Sequence, residues 1–206
     1  MPIDLSRINP AVFKIPKYLK DPEDLVIWSG AFTEEQLEDI INLGDLAEFS
    51  KGSIGIDDNF GVNSEIRDSD ISWILPDPSS EWLYEGLKNL ISLINHDKYQ
   101  YDLENLELLQ YTKYKIDHHY TWHVDLQKGK GIHRKLSLIV GLTDPDDYEG
   151  GDVEFNFDGH PDNIYTVRIK KGDILFFPSY IPHRVTPITS GNRTTLVAWI
   201  NGPKYK

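Results

Sequence analysis

The sequence predicts an α+β fold that is mainly β: a sandwich or jelly roll with helices on one face. Three observations predict it. The chain of 206 residues is long enough for one substantial core. Two helical apolar stripes lie before about residue 100, and from about residue 105 the apolar period switches to two. Seven or eight short strands then follow in under 100 residues, separated by Gly- and Asp-rich turns.

The elements follow in order. Pro2, Pro10, Pro16 and Pro22 are spaced too evenly for a long helix, so the first thirty residues read as an arm that wraps the domain. Thr33-Glu34-Glu35-Gln36 is a capping box, and Leu37, Ile40 and Ile41 behind it share one face of a helix running to about Gly44. Lys51 to Asp70 is too polar and glycine-rich for a core element and is expected to be a mobile loop or hairpin. Ser79 or Ser80 caps a second helix, in which Leu83, Leu87, Leu90, Ile91 and Ile94 form the stripe. Leu106, Leu108 and Gln110 open the first strand. Leu136–Val140, Ile174–Phe177 and Thr194–Ile200 are apolar enough to be buried. Val153, Phe155 and Phe157, and likewise Tyr165, Val167 and Ile169, alternate with polar residues. Glu149–Asp152 and Lys171–Asp173 are turns.

Composition excludes several chemistries. With no cysteine there is no disulfide framework, thiol nucleophile, iron–sulfur cluster or Cys-ligated zinc, so any metal must be held by His and carboxylate. A net charge of −12 argues against a nucleic-acid partner and against adsorption to anionic membranes. There is no apolar run of spanning length, and Met1-Pro2-Ile3-Asp4 has no basic start to a leader, so a cytoplasmic protein is expected.

The residues that carry chemistry begin with His123-Val124-Asp125. On a strand, i and i+2 point to one face, so imidazole and carboxylate converge while Val124 anchors the strand in the core. His183, following the run Phe176-Phe177-Pro178, is the best third ligand. Two His and one carboxylate on one side of a metal leave positions open and favour Fe(II). Arg193, ten residues on, heads an apolar strand and needs an anionic partner. Its fork suits a carboxylate held bidentately. Gly150-Gly151 is a tight turn rather than a phosphate cradle. His118 and His119 fall in a turn, and His96, His133 and His160 are expected at the surface. Two other classes stay open: a zinc hydrolase, which has no use for Arg193, and a non-catalytic metal-binding jelly-roll module.

From about Leu108 to Pro203 the sequence resembles the iron(II)/2-oxoglutarate-dependent dioxygenases, in the prolyl 4-hydroxylase-like branch that includes the bacterial prolyl/lysyl hydroxylases. The matching pieces are Tyr114, His123-Val124-Asp125, Arg134-Lys135-Leu136-Ser137, Asp147–Val153, Lys171–Pro178, His183–Pro187, Gly191-Asn192-Arg193 and Trp199. The resemblance implies a double-stranded β-helix in a single domain, with residues of about 105–203 as the catalytic β-helix and about 1–104 as helical support. It implies Fe(II) on His123, Asp125 and His183 as the catalytic centre. The cosubstrate 2-oxoglutarate would meet Arg193 and the Tyr114 phenol through its far carboxylate, with O2 as oxidant and ascorbate (vitamin C) as a possible reductant. Trp199 would pack beside the site, and Tyr120 and Trp122 would line a substrate groove or pack in the core. The implied reaction is hydroxylation of an unactivated C–H bond with release of succinate and CO2. A peptidyl proline leads as substrate, with a free amino acid or small metabolite as the alternative; the oligomeric state stays open. Residues 50–66 would close over a peptide, and their acidic residues would favour a substrate carrying Lys or Arg.

Overall fold

The computed structural model describes residues 24–56, 59–126 and 132–204. The expected proline-rich arm therefore falls almost wholly outside the described residues. The first half contains β1 (Val26–Trp28), α1 (Glu34–Leu46), β2 (Ser50–Lys51), β3 (Ile54–Ile56), β4 (Asn59–Gly61), β5 (Arg67–Asp68), β6 (Asp70–Ile74) and α2 (Glu81–Ile94). The second contains β7 (Asn105–Leu106), β8 (Leu109–Tyr114), β9 (His119–His123), β10 (Ile132–Gly141), β11 (Tyr148–Gly150), β12 (Val153–Asn156), β13 (Ile164–Val167), β14 (Ile174–Pro178), β15 (His183–Val185), β16 (Ile188–Gly191) and β17 (Arg193–Pro203).

Two sheets face each other. The major sheet runs β1-β14-β10-β17-β8-β6-β2, with β7 added beside β17, and the minor sheet runs β13-β12-β15-β9-β5. Every named pair in them is antiparallel. This is the double-stranded β-helix, with α1 and α2 on the outer face of the major sheet.

The apolar runs are explained by burial on both faces. Leu136, Leu138, Val140, Phe176, Leu196, Ala198 and Ile200 meet the helical stripes of α1 and α2. Their alternating neighbours Ile139, Leu175 and Phe177 point the other way, onto Val153 and Phe155 of the minor sheet. Ser137 and Trp199 share that inward parity, which is how the major sheet delivers side chains to the space between the sheets.

The capping box at Thr33 and Gln36 is present, with Thr33 Oγ1 accepting from Gln36 N at 3.2 Å and Gln36 Oε1 accepting from Thr33 N at 2.9 Å. The second cap is built differently. Ser80 occupies the N-cap position of α2, but its hydroxyl donates to Leu75 O at 2.6 Å, and Asp77 Oδ1 accepts from Ser79 N at 2.7 Å and Ser80 N at 3.2 Å. An Asx turn before the helix thus does the work expected of a serine cap.

The opening of the β region also differs. Leu106 pairs with Ile200 and Gln110 with Val197, so five residues on one strand face four on the other. The extra residue makes a bulge that turns Leu108 out to 42% exposure.

The segment expected as a loop or hairpin is a hairpin whose base belongs to the core. β3 and β4 pair with each other, while β5 joins the minor sheet and β6 the major one. Arg67, Ser69 and Ile71 alternate as buried positions, so the polar run is a strand at its end and not a free loop.

Candidate active site

The structure brings His123, Asp125 and His183 together, with one donor atom from each lying within 4.8 Å of the others. The two imidazoles are cross-strand partners: His123 closes β9 directly opposite His183, which opens β15. His123 Nδ1 lies 2.8 Å from Thr121 O and His183 Nδ1 2.9 Å from Ile181 O. Each Nδ1–H therefore donates to a backbone carbonyl, leaving both Nε2 lone pairs directed at Asp125. Those Nε2 atoms are 3.8 Å and 3.5 Å from the Asp125 carboxylate oxygens.

Packing fixes the rings. Tyr120 stacks on His123 with centroids 3.5 Å apart, and Phe177 meets His183 edge-on at 4.7 Å. Burial, with His183 beside it, pushes His123 down to about 3, so its ring is neutral and able to donate a lone pair at neutral pH. Burial alone would raise Asp125, but the two imidazoles, the Arg134 guanidinium and a hydrogen bond from Ser137 outweigh it, and the carboxyl is held below its ordinary value. The arrangement is two imidazole nitrogens and one carboxylate, a set that suits Fe(II) with positions left open.

The strand argument for the His123–Asp125 pair is corrected. β9 ends at His123, and Val124 is 44% exposed rather than anchored in the core. Asp125 lies beyond the ladder and is held by its own contacts: Asp125 N and Leu126 N both donate to Ser179 O, at 2.9 Å and 3.1 Å. The convergence is real, but a loop grip produces it.

The triad lies in the wall of a cavity of about 420 Å3 between the sheets. Tyr114, Tyr120, Arg67, Arg134 and Trp199 are among its lining residues, and Ser53, Ile54 and Gly55 of the hairpin form one side. A larger groove of about 640 Å3 runs past Lys88, His96 and Leu106 at the end of α2 and contains none of the triad.

Arg193 is 3% exposed and pairs in register with Tyr114, its guanidinium 5.4 Å over the phenol ring. None of the described residues offers it a carboxylate. A buried cation without a protein anion is costly, and a dicarboxylate cosubstrate would neutralise it. Arg193 is not itself a wall residue of the cavity; Tyr114 stands on that wall beside it. Gly150 and Gly151 have φ of +73° and +64°, and a Cβ on Gly151 would fall 3.0 Å from Arg193 Cδ. The Gly-Gly turn thus packs closely against Pro187 and Ile188, with the Arg193 stem beside it.

Two further arginines carry no role in the sequence reading. Arg67, 7% exposed, donates to Ser69 Oγ at 3.0 Å, Gln110 Oε1 at 2.6 Å and Ser53 O at 3.3 Å, and lies over Tyr120. The alternation of Arg67, Ser69 and Ile71 was the signal for it. Arg134 forks onto both oxygens of Glu107, at 3.0 Å and 2.7 Å, and covers the Trp199 ring at 3.9 Å. Both guanidinium groups stand on the cavity wall, and Asp57 and Asp58 lie outside the described residues.

The remaining aromatic and histidine expectations divide. Tyr120 lines the cavity, whereas Trp122 is 38% exposed and stacks on Arg184 away from it. His118 follows the turn expected there but is buried, 3.5 Å from Asp68, and His119 opens β9. His96 and His160 are exposed, while His133 is half-buried.

Residues 109–201 match the family model described as the 2OG-Fe(II) oxygenase superfamily. Among curated proteins, a PKHD-type hydroxylase of Idiomarina loihiensis is 31% identical over 98 residues, covering 46% of this chain and 44% of that protein. One from a Synechococcus strain is 41% identical over 81 residues, covering 39% and 36%. The chain thus aligns with less than half the length of these relatives. Among solved structures, a Pseudomonas putida prolyl-4-hydroxylase superposes with a TM-score of 0.68 at 19% identity, covering 88% of this chain and 94% of that one. A Trichoplax adhaerens prolyl hydroxylase, in complex with a hypoxia inducible factor oxygen degradation domain peptide fragment, gives 0.70 at 20% identity, covering 86% and 83%. The fold is that of the solved prolyl 4-hydroxylase structures, and residues 109–201 match the 2OG-Fe(II) oxygenase superfamily model.

Proposed function

We propose that this chain is an Fe(II)- and 2-oxoglutarate-dependent oxygenase that hydroxylates an unactivated C–H bond, with peptidyl proline as its substrate. The observation that carries the reading is one small space. Its wall carries two imidazoles and a carboxylate, and behind Tyr114 of that wall lies a buried arginine with no carboxylate partner among the described residues. A zinc hydrolase would leave that arginine without a purpose, and a binding module would need no open metal face.

His123 Nε2, Asp125 and His183 Nε2 would hold Fe(II), with Arg193 and the Tyr114 phenol receiving the far carboxylate of 2-oxoglutarate. When bound, Fe(II) with 2-oxoglutarate and O2 supplies the oxidation that turns C–H into C–OH as the cosubstrate becomes succinate and CO2. The protein's part is to bind, orient and keep water out. Phe155 and Phe177 make the floor behind His183 apolar, and Tyr120 and Trp199 flank the metal face. The side of the cavity formed by Ser53, Ile54 and Gly55 gives the hairpin a place from which to close over a bound substrate.

The peptide reading is supported by a structural neighbour that carries a peptide fragment, and by the groove shared by the hairpin and β9. Residues of about 105–203 act as the catalytic β-helix, and about 1–104 as its support. No helix among the described residues is long and apolar enough to cross a membrane.

The test is succinate release from 2-oxoglutarate across a panel of proline-containing peptides, free amino acids and small metabolites. Stimulation by a peptide, with hydroxyproline in the product, supports the assignment. Stimulation by free amino acids alone would replace it.

A further inference from the structure

We propose that Ser137 and Ser179 are positioning residues: a two-hydroxyl relay that fixes the rotation of the Asp125 carboxylate for metal binding. The inference rests on the metal-site reading above and concerns how that site is held.

Three observations carry it. Ser137 Oγ lies 2.7 Å from Asp125 Oδ2 and 2.9 Å from Ser179 Oγ, and both serines are 0% exposed. An ionised carboxylate only accepts, so the single Ser137 hydroxyl proton must point at Oδ2. Ser179 must then donate to Ser137, and the relay runs Ser179 to Ser137 to Asp125 in that order. The main-chain carbonyl of Ser179 also accepts from Asp125 N and Leu126 N. Ser179 therefore holds Asp125 at its backbone directly and at its carboxylate through Ser137.

This grip is needed because Asp125 is not in a strand. β9 ends at His123, and the exposed Val124 provides no anchor. Without it the Asp125 carboxylate would be free to rotate away from the two Nε2 atoms, which their own Nδ1 bonds hold in place. Ser137 is placed by the inward parity of β10, and Ser179 by the turn that follows β14, so the two elements bordering the site each supply one hydroxyl. Among the described residues, Asp125 Oδ1 receives no hydrogen bond and remains available to a cation.

The experiment is Mn(II) binding to the full chain, measured by the electron paramagnetic resonance signal of free Mn(II), alongside thermal unfolding of the metal-free protein. Wild type should bind. Ser137→Ala should weaken Mn(II) by about 10- to 100-fold, the loss typical when the partner of a ligand is removed. Ser137→Thr keeps the hydroxyl and should restore affinity, whereas Ser137→Val, of the same size without it, should not. Ser179→Ala should give a smaller loss, because Ser137 can still donate to Oδ2. The Thr and Val variants decide the matter if the Ala variant fails to fold. Mn(II) affinity equal in the Val and Thr variants would overturn the relay. Absence of binding by wild type would instead overturn the metal site, and the relay with it.

Discussion

Replacing Arg193 by alanine removes the positive charge assigned to the far carboxylate of 2-oxoglutarate. Arg193 is 3% exposed and no described carboxylate shares its charge, so a cosubstrate bound there meets a desolvated cation rather than a screened one. Truncating one partner of such a pair costs about 2–5 kcal/mol, and each ~1.4 kcal/mol is a factor of ten. In the proposed site the Tyr114 phenol, next to Arg193 in register, would keep one hydrogen bond to the same carboxylate, which places the expected loss near the lower figure. The apparent KM for 2-oxoglutarate should therefore rise by roughly 30- to 100-fold in Arg193→Ala. Arg193→Lys keeps the charge without the fork and should lose less. The assay is initial rate of succinate formation against 2-oxoglutarate at saturating Fe(II), with thermal unfolding as a control for the void left beside Gly151. A folded Arg193→Ala variant with an unchanged KM would refute the assignment, and would direct attention to Arg67 on the cavity wall.

Further outcomes follow from other parts of the site. His123→Ala and His183→Ala should each abolish iron-dependent 2-oxoglutarate turnover while the circular dichroism spectrum stays native, since the β ladders do not use these side chains; retained turnover in either would remove that residue from the ligand set. Shortening the β3–β4 hairpin beyond Ser53 should impair hydroxylation of a peptide far more than uncoupled decarboxylation of 2-oxoglutarate, because Ile54 and Gly55 wall the cavity and supply none of the triad; equal loss of both would make the hairpin purely structural. Asp70 is held below its ordinary value: burial opposes the shift, and Lys115 and Lys51 outweigh it. Its contribution is then present above about pH 4 and lost as pH falls through the lowered folded value. Asp70→Asn should cost under about 1 kcal/mol at pH 7, because both lysines are half-exposed, and this difference from wild type should vanish on acidification. A stability gap that persists at low pH would point to packing instead.

What the sequence revealed and what it hid divide along physical lines. Burial on both faces writes long apolar runs, so β10, β14 and β17 are legible from Leu136–Val140, Ile174–Phe177 and Thr194–Ile200. Local hydrogen bonding writes the Thr33 capping box, and family spacing marks His123, Asp125, His183 and Arg193. The failures are long-range or irregular. One bulge shifts the register between Leu106 and Gln110, and nothing local announces it. Arg67 and Ser69 sit in a polar, glycine-flanked stretch whose burial depends on partners more than 40 residues away, such as Gln110. The grip on Asp125 joins β9, β10 and the turn after β14, so the serines that supply it look ordinary in the sequence. Strand parity brings His123 and Asp125 to one point for a reason the structure does not support, since Val124 faces outward.

One metal site is proposed to take Fe(II) and 2-oxoglutarate together. The most direct test is anaerobic titration of the metal-free chain with Fe(II) and 2-oxoglutarate, followed by visible absorption. A weak charge-transfer band should appear that needs both additions, is absent with zinc, and is lost in His183→Ala. No band in wild type, at concentrations where both components are bound, would contradict it.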